Sequence, residues 1–173
     1  MSASCEGKIA IVTGGSDGIG LATAKLLASK GAHVVICARR QEKLDQAAAE
    51  ITNSGGAVES AAIDASDIDQ LEAVVRDVAQ RHGRLDMMVN NAASTHYAPI
   101  SKLKFEHWRK DFALNADAAF VAIKTAMEIM TAQGGGSIVN VSSSCGVRAP
   151  RNMSSYSASK AALNQLSACA AME

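Results

Sequence analysis

Aromatic residues are scarce in this sequence: they make up 3% of 173 residues, although 48% of the chain is hydrophobic. Ala, Val and Ile dominate the apolar content, and Ala-rich helices packed on Val/Ile strands suit a tightly layered α/β domain. Net charge is lacking too. The 17 basic and 17 acidic side chains cancel, so no overall field draws the chain to nucleic acid or to an anionic membrane, although a locally basic cleft stays open. No apolar run approaches the roughly 18 residues that span a bilayer, and the start shows no basic stretch followed by an apolar one. The four cysteines, Cys5, Cys37, Cys145 and Cys169, are scattered without a CxxC unit. Cys37 lies inside an apolar run and reads as a reduced, buried thiol. No metal site is expected. The setting these absences imply is a soluble, reducing compartment, most simply the cytoplasm, with neither a nucleic-acid nor a membrane partner.

What is present alternates between strand and helix signals. "KIAIVT" (Lys8–Thr13), "AHVVICA" (Ala32–Ala38), "AVESAAID" (Ala57–Asp64), "LDMMV" (Leu85–Val89) and "SIVNVSS" (Ser137–Ser143) read as five strands. Helical spacing separates them. In "IGLATAKLLASKG" it places Ile19, Ala22, Leu26 and Leu27 on one side, with Gly31 as a stop. "QEKLDQAAAEITNSGG" reads as an exposed helix closed by Asn53, Gly55 and Gly56, and "DIDQLEAVVRDVAQRHG" as a helix capped by Asp67. "KLKFEHWRKDF" and a long helix reaching Gln133 come next, and a last helix begins near Ser155. Strands joined by helices imply right-handed crossovers and a parallel sheet covered on both faces, a doubly wound α/β/α arrangement. No linker, repeat or low-complexity segment interrupts residues 1–173, so a single domain is expected.

"TGGSDGIG" (Thr13–Gly20) lies at the turn from the first strand into the first helix. Gly14, Gly18 and Gly20 provide a tight turn, close backbone approach to a pyrophosphate, and close helix–strand packing. The phosphate would rest at the helix N-terminus, where free N–H groups and the helix dipole favour an anion. Glycines also mark ordinary turns, so the loop alone is moderate evidence. After the second strand, "ICARRQEK" has Ala38 where an acidic residue would hold an NAD ribose, followed by Arg39 and Arg40. Guanidinium groups suit a 2′-phosphate and favour NADP(H), with NAD(H) still open. A solvated basic turn is the bland alternative. Asp17, inside the glycine loop, argues against a phosphate unless an arginine neutralises it.

Together these segments resemble the short-chain dehydrogenase/reductase family along essentially the whole chain. "TGGSDGIG" is similar to its TGxxxGxG loop, "NNAA" (Asn90–Ala93) to its NNAG motif, and "YSASK" to its YxxxK motif. The resemblance implies a Rossmann-like fold and an Asn-Ser-Tyr-Lys catalytic set at Asn115, Ser143, Tyr156 and Lys160. It implies a cofactor site at Gly14, Ser16, Asp17, Gly18, Ile19, Gly20, Arg39, Arg40, Asp64, Asn91 and Ala92, shared with Tyr156 and Lys160. Asp64 would contact adenine, Lys160 the nicotinamide ribose, and Asn115 a water linking Lys160 to solvent. Ala93 replaces a glycine, a small change. The family pattern continues beyond the YxxxK helix with a sixth strand, a PG turn, a substrate-covering segment and a seventh strand, whereas this chain stops at "ACAAME". A C-terminally incomplete sheet is therefore expected, with a partial sequence as the simplest explanation.

The chemistry of the last motif is legible without the family. Tyr156 and Lys160 stand at i and i+4, on one helix face. A free phenol titrates near about 10 and is a poor acid at neutral pH, whereas an ammonium alongside favours phenolate. Such a phenol can give a proton to a carbonyl oxygen as hydride arrives, or take one from an alcohol. Ser143, at the carboxyl edge of the fifth strand, can hydrogen-bond the substrate oxygen. A YxxxK alone is common on helix surfaces, and an Asn within a helix is usually solvated or bonded to its own helix. His96, Tyr97 and His107 are given no role. The function expected is hydride transfer between NADP(H) and a carbonyl or secondary-alcohol substrate. The rival is an inactive fragment or pseudoenzyme acting by binding or assembly. The family's four-helix interface implies a homo-oligomer, dimer or tetramer, and an uncovered sheet edge predicts association.

Overall fold

The computed structural model describes residues 4–173. Its centre is β1 (Ile9–Thr13), whose five residues IAIVT are all buried. Side chains of a strand alternate between faces, so a strand apolar on both needs a layer on each side. Parallel partners flank it: β2 (His33–Ala38) on one side and β4 (Met87–Asn90) on the other. Next come β3 (Ala57–Ala62) beside β2 and β5 (Ser137–Asn140) beside β4, giving the order β3-β2-β1-β4-β5. The strand order reverses direction between β1 and β4, the crevice where open parallel sheets bind ligands. This is the doubly wound Rossmann-like sheet the sequence predicts, and β5 is one of its edges.

Six α-helices among the described residues complete the layers. One face of the sheet, through Ala10, Val12, Val34 and Ile36, packs on α1 (Gly18–Ser29) and α2 (Gln41–Asn53). The other face, through Ile9, Ile11, Val35 and Met88, packs on α3 (Ile68–His82) and α5 (Ala118–Ala132). Leu71, Val75 and Val78 form the inward stripe of α3, whose ends follow the sequence closely. Asp67 accepts a hydrogen bond from Gln70 N–H at the start, and Gly83 closes the helix with φ +72°. Cys37 is a free buried thiol, and burial pushes its pKa up to about 12. No described helix is long and apolar enough to cross a membrane.

Three local expectations are corrected. In α1 the buried positions are Gly20, Ala24 and Ala28, while Ile19 and Leu26 are 65% and 59% exposed. Small residues win the inward face because the helix must lie close to β1, and bulky side chains are left outside. The two helical stretches expected before Gln133 are joined rather than separate: α4 (Phe105–Phe112) passes through a π-helical turn, Ala113–Asp117, into α5, and Asn115 lies in that turn rather than in the long helix. Finally, β5 stops at Asn140, so Ser143 lies three residues beyond the strand and caps a 3-10 turn, Ser144–Gly146.

At the amino edge of the sheet Asp86 joins β1 to the segment before β4. Its Oδ2 accepts from Ile9 N–H at 3.0 Å and Arg84 Nε at 2.7 Å. Its Oδ1 accepts from Lys8 Nζ at 3.0 Å and Arg84 Nη2 at 2.5 Å. Burial opposes ionisation here, but the Arg84, Ile9 and Lys8 hydrogen bonds overcome it and hold the carboxyl well below the usual range. A depressed pKa gives stability that is present above the unfolded value, about 3.9, and lost as pH falls from there through the lower folded value. Asp86→Asn is expected to cost about 2–3 kcal/mol in urea unfolding at neutral pH. The gap from the unaltered chain should narrow at acid pH, where Asp86 is protonated on unfolding.

Candidate active site

Thr13, the last residue of β1, is the hub of the site. Its Oγ1 accepts from the N–H groups of Asn91 at 3.0 Å and Ala92 at 3.1 Å. Asn91 Nδ2 in turn donates to the carbonyl oxygens of Thr13 at 3.0 Å and Gly14 at 3.2 Å. The exits of β1 and β4 are thereby tied side by side. Asn91 spends its amide on this tie, so it shapes the glycine loop from beneath. Gly14 adopts φ +66°, and a Cβ on Gly20 would meet Gly14 O at 2.2 Å. Asp17 caps α1, its Oδ1 accepting from Gly18 N–H at 2.7 Å.

A cleft of about 340 Å³ opens over this loop at the β1/β4 crevice. It is lined by Gly14, Ser16, Asp17, Arg39, Arg40, Asp64, Asn91 and Ala92, eight of the residues expected around a cofactor. Gly18, Ile19 and Gly20 lie outside its lining, in the first turn of α1. Asp64 follows β3 and accepts from Ser66 N–H at 3.0 Å and Ser66 Oγ at 2.7 Å. Burial would raise its pKa, but the Ser66 hydrogen bonds and the charge of Arg39 lower it below the ordinary range. Arg39 and Asp64 thus face each other across the mouth as opposite charges.

Tyr156 and Lys160 sit on α6 (Ser154–Ala170). Lys160 is only 2% exposed, its Nζ donates to Val141 O at 2.8 Å, and it stands 5.9 Å from the Tyr156 ring centroid. Desolvation lowers the lysine pKa, and among the described residues no carboxylate pairs with it. A small cavity of about 10 Å³, bounded by Thr13, Asn90, Asn115 and Lys160 among others, joins it to the sheet. A cavity of that size has room for about one water. Ser143 Oγ accepts from Cys145 N–H at 3.1 Å, leaving its own O–H as a donor. Neighbouring Ser142 is committed elsewhere, donating to Asn164 Oδ1 at 2.5 Å.

Sequence reasoning missed the frame that orients α6. Ser155 Oγ donates to Asp111 Oδ2 at 2.5 Å, and Asn115 Nδ2 donates to Ser159 Oγ at 2.9 Å. Asn115 also brackets Ser94, accepting from its N–H and donating to its carbonyl, both at 2.9 Å. It lies in the π-helical turn, a form of helix found often at functional sites. Asp111 is fully buried and further accepts from Ser94 Oγ at 2.9 Å and His96 Nδ1 at 2.7 Å. His96 stacks on His107 at 4.3 Å. The available signal was spacing: Asp111/Asn115 and Ser155/Ser159 are matched i,i+4 pairs, each serine directly preceding Tyr156 or Lys160.

The family model for short chain dehydrogenases matches residues 8–173. The chain belongs to the short-chain dehydrogenase family. Among its relatives, the 3-oxoacyl-(acyl-carrier-protein) reductase of Thermotoga maritima is 37% identical over 156 residues, 90% of this chain and 63% of that protein. A metagenomic short-chain oxidoreductase solved with NADP superposes with a TM-score of 0.94 at 38% identity, covering 98% of this chain and 77% of the other. An NAD+-bound xylitol dehydrogenase reaches the same TM-score at 31% identity, covering 98% of this chain and 66% of the other. The chain spans 56–67% of the length of the curated relatives it matches. Within a short-chain dehydrogenase frame, the closeness of Gly20 to Gly14 is the tightest steric demand at the loop. Gly20→Ala is expected to lower stability by about 1–3 kcal/mol, measured by urea unfolding, because the loop must shift to admit the methyl group.

Proposed function

We propose that the protein is an oxidoreductase transferring hydride between NADP(H), favoured over NAD(H), and a carbonyl or secondary-alcohol substrate. The observation that carries this reading is the buried Lys160 ammonium, placed beside Tyr156 with no carboxylate partner among the described residues. Desolvated cations of this kind in a cleft are characteristic of functional sites. The glycine loop supports the cofactor assignment, since it lines the cleft at the start of α1, where Gly14 and Gly20 pack too tightly on Asn91 and the loop backbone to carry a side chain. A bound nicotinamide supplies or accepts the hydride.

The chain's own groups handle the proton. In reduction, the Tyr156 hydroxyl passes its proton to the substrate oxygen while hydride adds to the carbonyl carbon, and oxidation reverses both transfers. Lys160 stabilises the negative charge left on the Tyr156 oxygen and would hold the nicotinamide ribose. Ser143 donates its free O–H to the substrate oxygen. Asn115 and the small cavity beside Lys160 support a water path from the lysine to solvent. Arg39 and Arg40 suit a 2′-phosphate, Asp64 the adenine end, and Ser16, Gly18 and Ile19 the pyrophosphate at the start of α1.

An apolar groove of about 630 Å³ between α5 and α6, lined by Phe120, Ile123, Met127 and Leu166, supports pairing with a second copy of this chain. Phe120 is 52% exposed there. The same groove favours a second reading, in which the chain acts by binding or assembly without turnover.

Tyr156→Phe separates the two readings. It is expected to abolish carbonyl reduction while leaving NADPH binding within about twofold, followed by cofactor fluorescence; undiminished turnover would exclude Tyr156 as the acid/base. In parallel titrations NADPH should bind more tightly than NADH. Asp17→Ser should widen that preference by roughly fivefold, since it removes a like charge near the phosphates.

A further inference from the structure

At the amino edge of the sheet, opposite the cleft, three ligand-type side chains converge. His33 opens β2, Glu59 stands third in β3, and His82 is the last residue of α3. The placement follows from pattern. Strand alternation puts His33 on the face of Val35, and Glu59 is the register partner of Val35. His82 extends the Leu71–Val75–Val78 stripe by one turn, so it points at the same face.

We propose that His33, Glu59 and His82 form a binding site for a divalent transition cation of the zinc type. Their ligand atoms all lie within 4.8 Å of one another. Glu59 Oε1 is 2.9 Å from His33 Nε2 and 3.1 Å from His82 Nε2. Both Nε2 atoms are buried, yet neither makes a hydrogen bond. The nitrogens are close to the carboxylate without aiming at it, as expected of lone pairs directed at a shared point. Ligands about 2.0–2.1 Å from a tetrahedral zinc sit roughly 3.3 Å apart, so the two carboxylate–imidazole edges need a few tenths of an ångström of adjustment, and the two imidazole nitrogens, within 4.8 Å of each other, would close to a similar spacing. Two histidines and one carboxylate also leave a fourth position for water, a familiar zinc donor set.

Arg81 Nη1 donates to Glu59 Oε2 at 2.8 Å, which orients the carboxylate and leaves Oε1 for the site. The site joins β2, β3 and α3, so an ion there stabilises the folded chain by binding only that form.

The test is a calorimetric titration of the chelator-stripped 173-residue chain with Zn2+ near neutral pH, alongside His33→Gln, His82→Gln and His107→Gln. One zinc per chain is expected. His33→Gln and His82→Gln should each lose on the order of 100-fold in affinity, while His107→Gln binds as the unaltered chain does. Zinc at a hundredfold excess over Kd should raise Tm by roughly 5–10 °C. Absence of saturable binding would overturn the proposal, as would zinc binding that persists in His33→Gln and His82→Gln. If those variants fold poorly, cobalt in the unaltered chain decides. Visible bands of a four-coordinate nitrogen–oxygen site support the proposal, and a sulfur-to-cobalt charge-transfer band, from cysteine, overturns it.

Discussion

Helix α6 is tied to the rest of the molecule by two polar pairs one helical turn apart, Asp111 with Ser155 and Asn115 with Ser159. Hydrogen bonds in a buried setting have little tolerance for rotation, because a misplaced donor or acceptor loses its partner where water cannot replace it. The pairs therefore set the roll of the helix. Since Lys160 follows one of the serines, the same constraint aims its ammonium at the exit of β5, with Tyr156 one turn before it on the helix. Asn115 reaches its partners from a π-helical turn, and its two hydrogen bonds with Ser94 carry the constraint on to the loop after β4.

A second tie completes the cleft from the other side. Thr13 and Asn91 join the exits of β1 and β4, and the glycines can lie over them only because they lack side chains. Between the two ties sits the Lys160 ammonium, taken out of water with one carbonyl to receive it. Such a group is a stability cost in isolation, and folds keep these costs where a ligand or reacting group later offsets them. The mouth has a different electrostatic character, with exposed Arg39 set against Asp64 and Asp17 turned to the α1 N-terminus.

The two edges of the parallel sheet thus carry different chemistry on one scaffold. The carboxyl edge holds glycines, hydroxyls and a buried lysine around an open cleft. The amino edge holds compact charge clusters: Asp86 with Lys8 and Arg84, and Glu59 with Arg81 and two histidines. Helix α3 links them, since its inward apolar stripe crosses the sheet face and ends in His82.

Much of this was determined by sequence alone. Five apolar runs separated by helical spacing specify a parallel, two-sided sheet, because strands buried on both faces leave a chain few other ways to cover them. The motifs are local too: "TGGSDGIG" and "YSASK" each bring their residues together within a turn or a helical repeat. Tertiary structure decided what depends on partners distant in the chain. The inward face of α1 went to Gly20, Ala24 and Ala28 because β1 approaches too closely for Ile19 or Leu26. The π-helical turn at Asn115, the commitment of Asn91 to the loop, and the role of Asp111 all rest on hydrogen bonds to residues far away in sequence. So does the meeting of His33, Glu59 and His82. Local periodicity shows which residues share a face, but only packing decides what that face will meet.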